Sequence, residues 1–85
     1  MSGYVNDTDI VILRTLERLG ELTQSELYYE IVLVKKISYQ AMRNHVSKLS
    51  KYGYVEKVGR GKDARIRITE NGKRLLAELT TLLMM

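Results

Sequence analysis

The sequence predicts one small α+β domain, mostly helical, in which three helices, a β-hairpin and a fourth helix follow one another. Three observations predict it. Apolar residues recur at helical spacing behind good N-terminal caps, and a charged/apolar alternation with period two flanks a glycine-rich tip. The length, 85 residues, fits a single domain over residues 1–85 and leaves no room for a second. Area scaling for such a chain gives about 5,000 Å² folded against roughly 14,000 Å² unfolded, enough to bury a thin core. With 45% hydrophobic and 28% charged residues, the composition is that of a folding chain rather than a disordered one.

The first helix is expected over Asp7 to Leu19, with Asn6 or Asp7 as N-cap, acids in its first turn and Gly20 at its end. Ile10, Ile12, Leu13, Leu16 and Leu19 share one half of its surface, and Val11 points away from them. Thr23, Gln24, Ser25, Glu26 form a capping box that starts a second helix, with Leu27 and Ile31 turned inward. The β-branched run from Ile31 to Val34 leaves its end open, and Lys35 and Lys36 mark a turn. Ser38 caps a third helix, where Ile37 can staple onto Met42 and the buried stripe is Met42, Val46 and Leu49, with His45 and Tyr52 at its margin. Measured around the helix from Met42, the residues Arg43, Ser47, Gln40, Lys51 and Asn44 follow in that order between about 100° and about 200°, so the opposite side is wholly polar. After Gly53, strands are expected over Tyr54 to Val58 and Arg65 to Ile68, joined by the basic tip Gly59, Arg60, Gly61, Lys62, Asp63. Thr69 caps the last helix, whose stripe is Leu75, Leu76, Leu79, Leu82 and Leu83.

The net charge of +4 conceals a division along the chain. Residues 1–33 carry two basic and six acidic groups, whereas residues 34–74 carry twelve basic and three acidic ones. A basic stretch of that kind is an electrostatic footprint for a polyanion. Other classes of function fall away. No cysteine is present, which removes disulfides, thiolate metal sites and thiol nucleophiles, and a single histidine removes most zinc chemistry. Pairs of acids such as Asp7 and Asp9 read as helix-start residues, so no enzyme activity, metal or cofactor is expected. The longest apolar runs span four residues, as in Ile10 to Leu13, against the roughly 20 that cross a bilayer. The start, Met1 to Tyr4, lacks the pattern of a secretory signal, so a cytoplasmic protein without a membrane partner is expected.

With its elements in this order, the chain resembles the winged helix-turn-helix DNA-binding domains, and most closely the wing region of MarR-type regulators. The resemblance runs from about Gly20 to Leu76. Its strongest part is the polar-faced helix from Ser38, then Leu49 and Gly53, Tyr54, Val55, then Asp63, Ala64, Arg65, then Ile68, Thr69, Glu70, Asn71, Gly72. Those residues are similar to the family's leucine, glycine, wing Asp-x-Arg and Leu-Thr-x-x-Gly succession. Two departures stand out. More residues lie between Leu27 and Ser38 than in the family's short turn, so either the second helix is longer by about one turn or the connection is looped. MarR-type proteins also carry long helices at both ends, of which only the C-terminal one is expected here, so effector sensing is not carried over.

The resemblance implies a sequence-specific regulator of transcription that grips double-stranded DNA, with the third helix in the major groove. Gln40, Arg43 and Asn44 are then the candidate base readers, with Ser38, Tyr39, Ser47 and Lys51 beside them holding phosphate. Lys35 and Lys36 are further phosphate candidates. Arg60 and Lys62 at the wing reach the minor groove or its flanking phosphates, and Asp63 braces Arg65, which faces DNA. The last helix has more apolar length than so small a core should cover. A homodimer is therefore expected through Val11, Leu75, Leu79, Leu82 and Leu83, with help from Tyr4 and Val5 and with residues 77–85 as its dimerising end. Twofold symmetry would match a pseudo-palindromic site. The competing reading is a winged-helix module for RNA or protein, to which Tyr28, Tyr29 and Tyr39 would contribute an aromatic patch.

Overall fold

Asn6 opens the first helix, α1 (Asp7–Leu19), in a computed structural model that describes residues 5–84 apart from the Leu83 side chain. Its side-chain oxygen accepts from the Asp9 N–H at 3.1 Å, and the Asp9 carboxylate accepts from the Asn6 N–H at 3.0 Å, a capping box that satisfies two orphan donors. A two-residue strand, β1 (Leu22–Thr23), follows. Thr23 then caps α2 (Gln24–Val32) in a second reciprocal box with Glu26. The third helix, α3 (Tyr39–Lys51), starts at Ser38, whose Oγ accepts from the Ala41 N–H at 3.0 Å. β2 (Val55–Val58) and β3 (Arg65–Ile68) form the hairpin, and a single 3₁₀ turn over Gly61–Asp63 makes its tip. Thr69 caps α4 (Glu70–Leu83).

The strands form one antiparallel sheet in the order β1-β3-β2, with Val55 opposite Ile68, Lys57 opposite Ile66 and Leu22 also opposite Ile66. β1 is the element the sequence reading lacks. Two residues are too few to show any period, and only pairing with β3 makes them a strand.

One core joins every helix to the sheet: Ile12, Leu13 and Leu16 of α1, Leu27 and Ile31 of α2, Met42, Val46 and Leu49 of α3, Val55, Ile66 and Ile68 of the hairpin, and Leu76 of α4. Each such side chain contributes about 1.5–3 kcal/mol on burial. Apart from Ile10, which is half-buried beside it, the expected stripes of α1, α2 and α3 are this core, with two further adjustments. Leu19, in the last turn of α1, is exposed, and Val11 is half-buried against the core rather than turned away from it. Of the described leucines of α4, Leu76 is buried, Leu75 and Leu79 are half-buried and Leu82 is 66% exposed.

The open question between Leu27 and Ser38 resolves to a looped connection. α2 stops at Val32, and the Tyr28 hydroxyl donates to the Ile37 carbonyl at 3.0 Å while its ring meets Tyr39 edge-on at 5.3 Å. These contacts fix where α3 begins. At the other end of α3, the Thr69 hydroxyl donates to the Gly53 carbonyl at 2.6 Å, and buried Gly72 lies against Tyr54, where a Cβ would fall 2.3 Å from the carbonyl oxygen. Only glycine admits that approach.

Candidate nucleic-acid interface

Because Met42, Val46 and Leu49 are held in the core, helical geometry turns Gln40, Arg43, Asn44, Ser47 and Lys51 outward, and all five are exposed. The Gln40 side-chain amide donates to Asn44 Oδ1 at 3.0 Å, one turn further along, which aligns the two amides on one ridge. Ser38 is exposed, but its oxygen already serves the helix as a cap. Tyr39, also exposed, places its hydroxyl 3.5 Å from Gln24 Oε1.

A groove runs between α3 and the hairpin, lined by Arg43, Ser47, Ser50 and Lys51 on one wall, Lys57 with Val55 and Ile66 on the other, and Gln24 at one end. Lys57 and Gln24 line this groove and are absent from the candidates that the sequence predicts. The signal for Lys57 was present: two residues after core-facing Val55, it must share that strand's inner face, and its register partner Ile66 is buried. Beyond the core the same face carries Lys57 to the side of α3.

Arg60 and Lys62 are exposed at the hairpin tip, three and five residues beyond Lys57. Gly59 at φ 90° and Gly61 at φ 67° bracket Arg60, conformations in which a side chain would be strained, so the tight tip depends on both glycines. Arg65 sits elsewhere. It is exposed and opposite Val58 and Thr23 on the outer face of the sheet, so strand alternation keeps it out of the groove that holds Arg43. The expected brace from Asp63 is not formed; among the described residues the two make no ion pair. Glu26 feels the Arg65 charge instead. Its carboxyl is held below the ordinary 4.5, first by hydrogen bonds from the Thr23 backbone and hydroxyl and then by that charge. Arg67, on the same outer face, is engaged by Glu56 at 2.6 Å.

A buried carboxylate fixes α3 against α1. Asp9 is fully buried, and it receives His45 Nδ1 at 2.8 Å on one oxygen and Lys48 Nζ at 2.5 Å on the other. Burial pushes its carboxyl up, but the bonds from Lys48, the Asn6 N–H and His45, with the Lys48 charge, outweigh this and leave it below the usual 3.8. Asp9 is thus more than the helix-start residue the sequence suggested, and it occupies two of the polar groups on the inner flank of α3. No cluster of three or more metal-ligating side chains occurs among the described residues, and no described helix is long and apolar enough to cross a membrane.

Of the expected interface residues, Val11, Leu75 and Leu79 are half-buried and Leu82 is exposed on α4 beside Arg74, Ala77, Glu78 and Thr81. Val5 packs at the edge of the core; Tyr4 and the Leu83 side chain lie outside the described residues.

No protein-family model matches the chain, and no curated protein matches it. Among solved structures it is similar to a MarR family protein from Bacillus stearothermophilus, at 25% identity and a TM-score of 0.78 over 91% of this chain and 52% of that one. It is also similar to F93 from STIV, a winged-helix DNA-binding protein, at 20% identity and a TM-score of 0.81 over 94% and 90%. A third match is SSV1 F-93, at 19% identity and a TM-score of 0.76 over 98% and 92%. The chain spans about half the length of the MarR family protein and about nine-tenths of the two F93 proteins. The fold is therefore the winged helix.

Proposed function

We propose that the protein is a sequence-specific, double-stranded DNA-binding regulator of transcription that acts in the cytoplasm as a homodimer. The observation that carries this reading is the groove in which Arg43, Ser47 and Lys51 of α3 face Lys57 of the hairpin, with the Arg60 and Lys62 tip continuing the same strand. In this reading α3 enters the major groove, where Arg43 can bind guanine and Gln40 or Asn44 adenine, each at about 1–3 kcal/mol of discrimination. Ser47, Lys51 and Lys57 hold phosphates along the groove wall, and Arg60 and Lys62 reach the minor groove. Arg65, on the outer face of the hairpin, reaches a flanking phosphate rather than a base. The MarR family and winged-helix DNA-binding proteins among the similar structures support the same reading. The exposed Leu82 on α4 supports pairing through that helix, which would set two copies of α3 on a pseudo-palindromic site.

Selection from randomised duplexes tests the proposal. A recovered motif with twofold symmetry, bound more weakly as salt rises and not displaced by duplex RNA, is the expected result. Recovery of no motif, or equal competition by duplex RNA, would overturn it.

A further inference from the structure

α2 and the turn that follows it expose apolar side chains as well as burying them. Leu27 and Ile31 are fully buried, yet Tyr29, Leu33 and Val34 are 64%, 67% and 69% exposed, and Val32 is exposed beside them. Around the helix axis Leu33, Glu26 and Val32 all lie within about 60° of Tyr29, while Leu27 and Ile31 lie about 160° from it on either side. Tyr29, Val32 and Leu33 thus form one apolar strip on the outer face, with Ser25 and Glu26 at its start, while Val34 falls about 140° away from Tyr29. None of them lines the groove between α3 and the hairpin.

The ends of the strip carry opposite charge. Glu26 begins it, and the chain keeps a helical bond as far as the Lys35 N–H, which donates to the Ile31 carbonyl at 2.8 Å, so Lys35 and Lys36 follow directly at its other end. Such a strip is complementary to itself when reversed. In an antiparallel pairing centred on Ile31, Tyr29 of one copy meets Leu33 of a second, and Glu26 meets Lys36. Apolar burial supplies the attraction and the end charges set the orientation, since a parallel pairing would place like charges together.

We propose that the outer face of α2 is a twofold contact between copies of this chain. Joined to the α4 pairing, a second twofold contact generates assemblies larger than a pair, an open row where the two axes do not intersect. Resting on the DNA-binding reading above, the contact lines up neighbouring copies along a duplex and makes their binding cooperative.

Two measurements on the full chain test this: sedimentation at rising concentration, and filling of duplexes that carry one or two adjacent selected sites. Leu33→Glu and Tyr29→Glu change exposed side chains outside the groove, and circular dichroism checks that each folds. The unsubstituted chain should gain mass with concentration and fill the second site about tenfold more tightly than the first. Both variants should stay at the mass of the α4-paired dimer as concentration rises and fill the two sites independently, with one-site affinity unchanged. Mass and cooperativity equal to those of the unsubstituted chain in both variants would overturn the contact. If no form binds duplex DNA, the DNA-binding reading fails, and the masses alone decide the contact.

Discussion

Asp9 shows how one side chain can serve three purposes, since it closes the α1 capping box and receives both His45 and Lys48 of α3. Asp9→Asn leaves an amide facing Lys48 and His45, and it should cost about 2–3 kcal/mol in urea unfolding. The pH dependence has a definite sign. A folded-state pKa below the usual 3.8 means that the Asp9 contribution is complete above that value and lost as the pH falls through the depressed one. Unfolding curves from pH 6 down to pH 2 should therefore lose stability at the acid end, and Asp9→Asn should flatten part of that fall. A second residue-scale expectation concerns Gly72. Its Cβ would meet the Tyr54 carbonyl and the Ile68 side chain, so Gly72→Ala should cost about 1–3 kcal/mol and lower the melting temperature by at least several degrees.

At the scale of elements, the proposed reading divides recognition between α3 and the hairpin. Arg43→Ala should relax base preference at one position by about 1–3 kcal/mol, whereas Lys62→Ala should weaken binding to all sequences alike. Lys57→Gln should lower the salt slope of binding by about one, read from titrations at several salt concentrations. Helix starts were legible in the sequence because caps are local: Asn6, Thr23, Ser38 and Thr69 each bond within their own first turn. The polar face of α3 was legible for the same reason, following from Met42, Val46 and Leu49 by periodicity alone. What was not legible depended on register between distant segments. β1 exists only through β3, and the Asp9 to His45 contact spans 36 residues. The Asp63 to Arg65 brace was carried over from a family pattern, and strand geometry sets Arg65 among Thr23, Glu26 and Val58 instead.

For the whole molecule, the division of charge along the chain becomes a division among elements. The basic segment supplies α3 and the hairpin, and the acidic one supplies α1 and α2. Pairing through α4 should respond to Leu82→Glu with a lower mass by light scattering at micromolar concentration and an unchanged fold. The most direct test of the central claim compares the unsubstituted chain and Arg43→Ala on a selected duplex and on its scrambled sequence across a salt series. The expected result is a preference for the selected duplex that Arg43→Ala reduces, with both proteins losing affinity steeply as salt rises. Equal affinity of the unsubstituted chain for both duplexes, or binding indifferent to salt, would contradict the account.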